Sequence, residues 1–382
     1  VKEALAAGID AAAPHAVRLS RLIHGHPELG FEEHRAAAWT AEPLAAAGFD
    51  VSVGAFSLPT SLRATYGTGE RVITLCAEYD ALPDIGHACG HNLIAGVAVA
   101  AALALAPLAD DLGITVRVLG TPAEETGGGK VLMLSRGAFD GSDLVLMAHP
   151  GPYDCVRPRF VACGGLTVRY QGRAAHAALN PHEGVNAADA LTVAQVAIGL
   201  LRQHVGPGEF VHGVTTAAGS APNVVPDLAS AVYNVRAPDL ARLSALTDRV
   251  TACFEAGALA TGAQVTVSPD PVVYAELRSD AELARRYEDN WPGPLPPRGE
   301  VFGSTDFGNV SQVLPALHPI FSIGRAVANH HPDFTAAAGT PEAERAMLAA
   351  ARALAWSVAD VTCGSSSPFR TPSSPTKAGN RR

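Results

Sequence analysis

Apolar positions near the start of the chain recur every three to four residues. One such stretch runs from about Pro14 to His26 and a second from Phe31 to Ala47, which predicts two amphipathic helices. Pro43 lies inside the second and should kink or shorten it, and Gly48 ends it. The pattern then changes to short β-rich runs at 50–55, 61–66 and 71–77. A helix at 92–107, a strand at 114–120, a glycine-rich turn, a helix at 129–137 and a strand at 143–148 follow. Strands alternating with helices predict an α/β fold whose mixed or mostly parallel sheet is covered on both faces.

From about Arg159 the pattern changes again. Residues 160–171 read as a strand, 184–203 as a helix, 211–217 and 228–236 as strands, 240–259 as a helix and 263–268 as a strand. Strand-helix-strand-strand-helix-strand is the order of a ferredoxin-like α+β unit. The α/β pattern resumes from about 277 to 362, so the predicted organisation is a mixed-sheet domain, 1–158 plus 277–363, interrupted by an inserted domain, 159–276. Residues 364–382 are rich in Ser, Pro, Thr and basic residues with almost no apolar content, and are expected to be a disordered tail.

Composition narrows the function. A chain of 382 residues, 48% hydrophobic and only 17% charged, can fill two large cores. The net charge of -9, with no basic stripe, argues against a nucleic-acid partner. Cysteines at 76, 89, 155, 163, 253 and 363 show no small-scaffold spacing, and the first residues lack the leucine-rich core of a secretory signal; a reduced, cytoplasmic protein is expected. The apolar run Leu93 to Pro107 is alanine-rich and too short to span a bilayer, so it reads as a buried helix and no membrane partner is expected.

The candidate chemistry sits where apolar runs end. Cys89-Gly90-His91 places a thiol and an imidazole two residues apart in a glycine-flanked loop, where both can converge on one divalent metal. Asp80 follows the run Val72 to Ala77 and can either orient an imidazole or form the turn before Pro83. Glu124 and Glu125 follow strand 114–120. Adjacent side chains diverge, so one could bind metal while its neighbour serves as a base; a solvated acidic pair at a helix start is the plainer alternative. The following glycine run lacks the Gly-Lys-Ser/Thr ending of a phosphate loop. His149 follows 143–148, and Asn329-His330-His331-Pro332 follows the predicted strand 318–323. In an open α/β sheet such strand ends form one crevice.

These motifs, in this order, resemble the co-catalytic metallopeptidase family that includes aminoacylase, carboxypeptidase G and carnosinase, and within it the amidohydrolase subgroup with a cysteine ligand. The resemblance spans about 15–362 and includes His24 to Glu33. It implies that Cys89 bridges two metals, that His91, Glu125, His149 and His330 complete the shell, and that Glu124 is the general base and later proton donor. His330 rather than His331 stands where the family places its ligand. The segment Gly172 to Ala177 resembles the one whose histidine, here His176, polarises the scissile carbonyl in the partner subunit's site, implying a homodimer. Asn223 and Arg236 resemble substrate-anchoring positions, and Ser304 and Thr305 resemble a loop lining the pocket. Asn92, where most of the subgroup has an acid, and Glu78-Tyr79-Asp80 look more like the branch of β-alanyl-lysine-type dipeptidases; Asn92 could still cap the next helix.

The implied activity is metal-dependent hydrolysis of an amide bond in a small N-acyl amino acid or dipeptide, with one or two ions, zinc or manganese. The alternatives are the same chemistry on an aryl amide or aminobenzoyl-glutamate, or a binding protein with a relic site. A redox role for Cys89 lacks a second cysteine within a few residues.

Overall fold

The computed structural model of the chain describes residues 1–295, 303–324 and 327–363; the expected tail at 364–382 lies outside them. The described residues divide into two units.

The first unit comprises Val1–Arg157, residues 279–295 and those described from 313 onward. Its six-stranded sheet runs, edge to edge, Asp50–Val53, Leu62–Tyr66, Ile114–Thr121, Arg71–Glu78, Leu144–Leu146 and Ala316–Leu317. The last four are parallel and the first two pair antiparallel, so the sheet is mixed. Ile114–Thr121, Arg71–Glu78 and Leu144–Leu146 are therefore neighbours that end on the same side. The expected strand at 318–323 is divided. Ala316–Leu317 joins the main sheet, whereas Ile320–Ser322 pairs with His149–Gly151 in a separate two-stranded sheet.

Helix His91–Leu105 packs on Arg71–Glu78 and against two long helices, Lys2–Gly25 and Pro341–Thr362. It is buried on nearly every side because its residues are apolar all round. Its helical continuation makes His91–Leu112 a run of 22 residues, long and apolar enough to cross a membrane by length and composition; 83% of its most apolar window is buried in this unit. The sequence expectation of a run too short to span is thus corrected, while its reading as a core helix agrees with the burial.

The first helix begins at Lys2 rather than Pro14, because buried Leu5, Ile9 and Ala12 continue the stripe of Ala16, Leu19 and Ile23. The second, His34–Ala46, runs on past Pro43 for three residues, so the proline does not end it.

The second unit contains Pro158–Arg278 and the described residues 303–312. Strand Ala162–Gln171, helix Ala187–Leu201, strands Phe210–Ala218 and Leu228–Ala237, helix Leu240–Thr261 and strand Gln264–Pro269 follow the expected ferredoxin-like order. The sheet is antiparallel, with its strands arranged last, first, third, second. Alternate residues, including Leu166, Val168, Tyr170, Ala231, Tyr233 and Val235, form its core with Leu191, Ile198, Leu246 and Phe254 from the helices. Residues 303–312 were expected with the other domain. They belong here because Val161 donates to the Gly303 carbonyl at 2.9 Å and Ala275 donates to Asn309 Oδ1 at 2.9 Å.

Candidate metal centre

Three parallel strand ends deliver the candidate donors. After Arg71–Glu78 comes Asp80 and then the loop carrying Cys89; after Ile114–Thr121 come Glu124 and Glu125; after Leu144–Leu146 comes His149. Gly90 lets the first loop turn into helix His91–Leu105. It is the helix N-cap with φ +76°, and a Cβ there would lie 2.5 Å from Pro150 Cγ.

Donor atoms of Cys89, His91 and His149 lie within 4.8 Å of one another, and so do those of Cys89, Glu125 and His330. The two groups share Cys89. A third such group joins His91 to Glu124 and Glu125. All five ligands expected from the sequence, with the expected base, are therefore brought together.

The tautomers follow from the neighbours. His91 Nδ1 lies 2.8 Å from Asp80 Oδ1, so Nδ1 donates to that carboxylate and Nε2 is the nitrogen turned toward the other donors. The other oxygen of Asp80 accepts from the Glu125 N–H at 3.0 Å, so one carboxylate orients both groups. His149 Nδ1 donates to the Pro150 carbonyl at 2.7 Å, leaving Nε2 3.5 Å from Cys89 Sγ. His330 Nε2 is 3.3 Å from Glu125 Oε2. Its neighbour His331 turns away: the His331 ring accepts from the Asp333 N–H and caps helix Pro332–Ala338.

The charges suit a cation. Burial lifts the Cys89 thiol well above its usual pKa, reinforced by the Glu125 charge, so a thiolate here requires a compensating positive charge. Burial opposes charge on His91, but Asp80 and Glu78 outweigh it and hold its pKa well above normal. Burial lowers the pKa of His149 to about 4, which keeps the ring neutral and available as a ligand. Glu125 stays low despite its burial because His330 hydrogen-bonds it and His91 lies close. His91 Nε2 and Glu125 Oε1 are buried and make no hydrogen bond. Sulfur, imidazole nitrogen and carboxylate oxygen, two of these atoms buried without a hydrogen bond, form a donor set that fits a divalent ion.

Several contributors were given no role in the centre from the sequence. Glu78 lies 3.4 Å from His91 Nε2 and is ion-paired at 2.5 Å with Lys130, both fully buried. Glu33 Oε1 accepts from the Ala123 N–H at 2.7 Å, just before the Glu124-Glu125 pair. Asn329 Nδ2 approaches Cys89 Sγ at 3.7 Å. Two signals were present: Glu78 is two residues from Asp80, hence on the same side of an extended chain, and Lys130 is one of only three lysines. Asn92 does not cap its helix. It donates to Ser20 Oγ at 2.8 Å and to the Ala338 carbonyl at 3.2 Å, bracing three helices.

The remaining candidates lie in the second unit. His176 is exposed, and its Nδ1 accepts from the Ala178 and Leu179 N–H groups, both at 3.2 Å, so Nε2 carries the proton. Asn223 is adjacent, its carbonyl accepting from the Ala177 N–H. Arg236 Nη1 donates to Ser304 Oγ at 3.0 Å, and Ser304 donates to the Val161 carbonyl. Thr305 is buried and its hydroxyl oxygen accepts from the Phe307 N–H, which shapes the turn.

A mixed α/β unit with thiol, imidazole and carboxylate donors at its strand ends, in one chain with a ferredoxin-like unit, has the architecture of a metallohydrolase. The model of peptidase family M20/M25/M40 matches residues 74–355, and the chain belongs to that family. It is 41% identical to the Xaa-Arg dipeptidase of Mus musculus over 94% of this chain and 89% of the mouse protein. It is 36% identical to a p-aminobenzoyl-glutamate hydrolase of Escherichia coli (strain K12), over 63% of this chain and 54% of that protein. Among solved structures, a dinuclear metal-binding peptidase of the M20 family from Bacillus subtilis has the same fold, with TM-score 0.73 over 92% of this chain and 99% of that one at 20% identity.

Proposed function

We propose that the chain is a dipeptidase that cleaves the amide bond before a basic C-terminal residue. Its substrate class is supported by the relation to the mouse Xaa-Arg dipeptidase along nearly the whole of both chains. The chemistry rests on one observation, the two donor triplets that share Cys89 beside Glu124. Cys89, His91 and His149 would hold one ion, and Cys89, Glu125 and His330 a second. Thiolate favours zinc, while the His and Glu donors also accept manganese.

Bound ions would supply Lewis acidity toward the scissile carbonyl and make a nearby water more acidic. Glu124 would take the proton from that water and return it to the leaving amine. His176 has Nε2–H directed away from its own backbone contacts, the form a donor to a developing oxyanion needs. Arg236, steadied by Ser304, would pair with the substrate carboxylate, and Asn223 would hydrogen-bond beside it.

The same unit offers a surface for a second copy. Val193, Val196 and Leu200 are exposed along one face of helix Ala187–Leu201. Phe210 and Val214 are exposed on Phe210–Ala218, the sheet's edge strand. An edge strand flanked by an apolar helix face would be covered in a homodimer.

The test is release of free amine by the metal-loaded protein from a panel of Xaa-Arg and Xaa-Lys dipeptides, N-acetyl amino acids and p-aminobenzoyl-glutamate. Xaa-Arg or Xaa-Lys should have the highest kcat/KM. Preference for p-aminobenzoyl-glutamate would favour the activity named for the E. coli relative, and no turnover of any member would sink the reading. Mixing His176→Ala with Glu124→Gln protein should restore part of the activity if His176 serves the partner's site. Identical inactivity of the mixture would contradict that role.

A further inference from the structure

We propose that Glu78 is an additional carboxylate donor of the metal centre, held beside His91 by Lys130, and that it biases the His91 position toward manganese over zinc. The inference rests on the metal-centre reading above.

Asp80 and Glu78 lie two residues apart and take opposite nitrogens of the same ring. Asp80 Oδ1 accepts the Nδ1 proton at 2.8 Å, and Glu78 Oε2 lies 3.4 Å from Nε2. With Nδ1 engaged by Asp80, the ring turns Nε2, its metal-facing nitrogen, toward Glu78. Both atoms are fully buried and neither has a hydrogen bond. A carboxylate oxygen and a ring nitrogen this close in a dry interior need a positive charge between them, which a divalent ion supplies when it takes the place of a proton on Nε2. The separation also lies within reach of one shared ion: two neighbouring donors each about 2.1 Å from a metal are roughly 3.0 Å apart in octahedral and roughly 3.4 Å apart in tetrahedral geometry.

Lys130 explains only half of this carboxylate. Its Nζ meets Oε1 at 2.5 Å, which fixes the group and leaves Oε2 directed at the ring. A Glu78 oxygen and a Glu124 oxygen also come within 4.8 Å, so Glu78 borders the place where the proposed base works. A further hard oxygen raises the coordination number and favours manganese relative to a site of thiolate and imidazole alone.

Opposite charge changes separate a donor from a mere counter-ion. Binding of Mn(II) and of Zn(II) to metal-free protein would be measured by equilibrium dialysis, with circular dichroism confirming the fold. Glu78→Gln should weaken Mn(II) binding about 10- to 100-fold and Zn(II) binding less. Lys130→Met keeps the carboxylate and removes a nearby positive charge, so it should bind Mn(II) as tightly as wild type or more so. The double variant Glu78→Gln/Lys130→Met removes both members of this buried ion pair and decides the matter if Glu78→Gln does not fold. It should remain weak for Mn(II). Wild-type affinity and stoichiometry in the double variant would overturn the role of Glu78 while leaving the metal centre intact. A wild-type protein that bound neither ion would instead overturn the metal-centre reading.

Discussion

Ala123 has φ +54°, a backbone conformation an alanine seldom adopts, immediately before the proposed base. Glu33 holds it there through the 2.7 Å bond to its N–H, from a position with no solvent exposure. Burial raises the Glu33 pKa to about 7, so the folded protein keeps a proton that the unfolded chain releases near the ordinary carboxylate value. The sign follows: stability from this group is fully present below the unfolded pKa and is lost as pH rises through about 7. Glu33→Gln keeps an acceptor for Ala123 without a titrating charge. Thermal melts from pH 5 to 8.5 should show the variant losing less stability than wild type, by about 1–3 kcal/mol at the alkaline end. Parallel pH profiles would contradict this. At this scale the motif donors were legible because each occupies a short stretch at a strand end. Glu33, Glu78 and Lys130 were not, since their partners are distant in sequence and only the fold brings burial and charge together.

The strand ends explain why motifs so far apart in sequence meet. Arg71–Glu78 lies between Ile114–Thr121 and Leu144–Leu146, so the loops after all three open on one side. The alternation of apolar strands and helices made this arrangement readable from sequence. Long helices were read less well: the N-terminal stripe from Leu5 is alanine-rich and interrupted by Pro14, and only packing against His91–Leu105 makes it continuous. The second sheet was not legible, because nothing local says that Ile320–Ser322 will leave the main sheet for His149–Gly151. That pairing places Pro150 against Gly90 and makes the Cys89 loop sensitive to one methyl group. Gly90→Ala should lower stability by about 1–3 kcal/mol, since strain at positive φ adds to the contact with Pro150. It should also reduce metal content per chain. A variant with wild-type melting and metal content would show that the loop has another way to turn.

For the molecule as a whole, the ferredoxin-like unit was legible in its element order, whereas residues 303–312 were assigned to it only by hydrogen bonds such as that of Val161 to Gly303. The proposed second copy has a direct test in sedimentation. Val196→Asp with Leu200→Asp places two charges on the exposed face of Ala187–Leu201 without touching its buried side. Wild type should sediment as a dimer and the double variant as a monomer with an unchanged circular dichroism spectrum; a variant that stayed dimeric would place the interface elsewhere. The central claim, that Glu124 works as a base beside a metal centre held by its neighbours, joins all three scales. Its most direct test measures bound metal and release of arginine from an Xaa-Arg dipeptide in wild type and Glu124→Gln together. The account predicts equal metal content and a fall in kcat of about 10²- to 10⁴-fold in the variant, and a variant that kept wild-type turnover, or a wild type that turned over without metal, would contradict it.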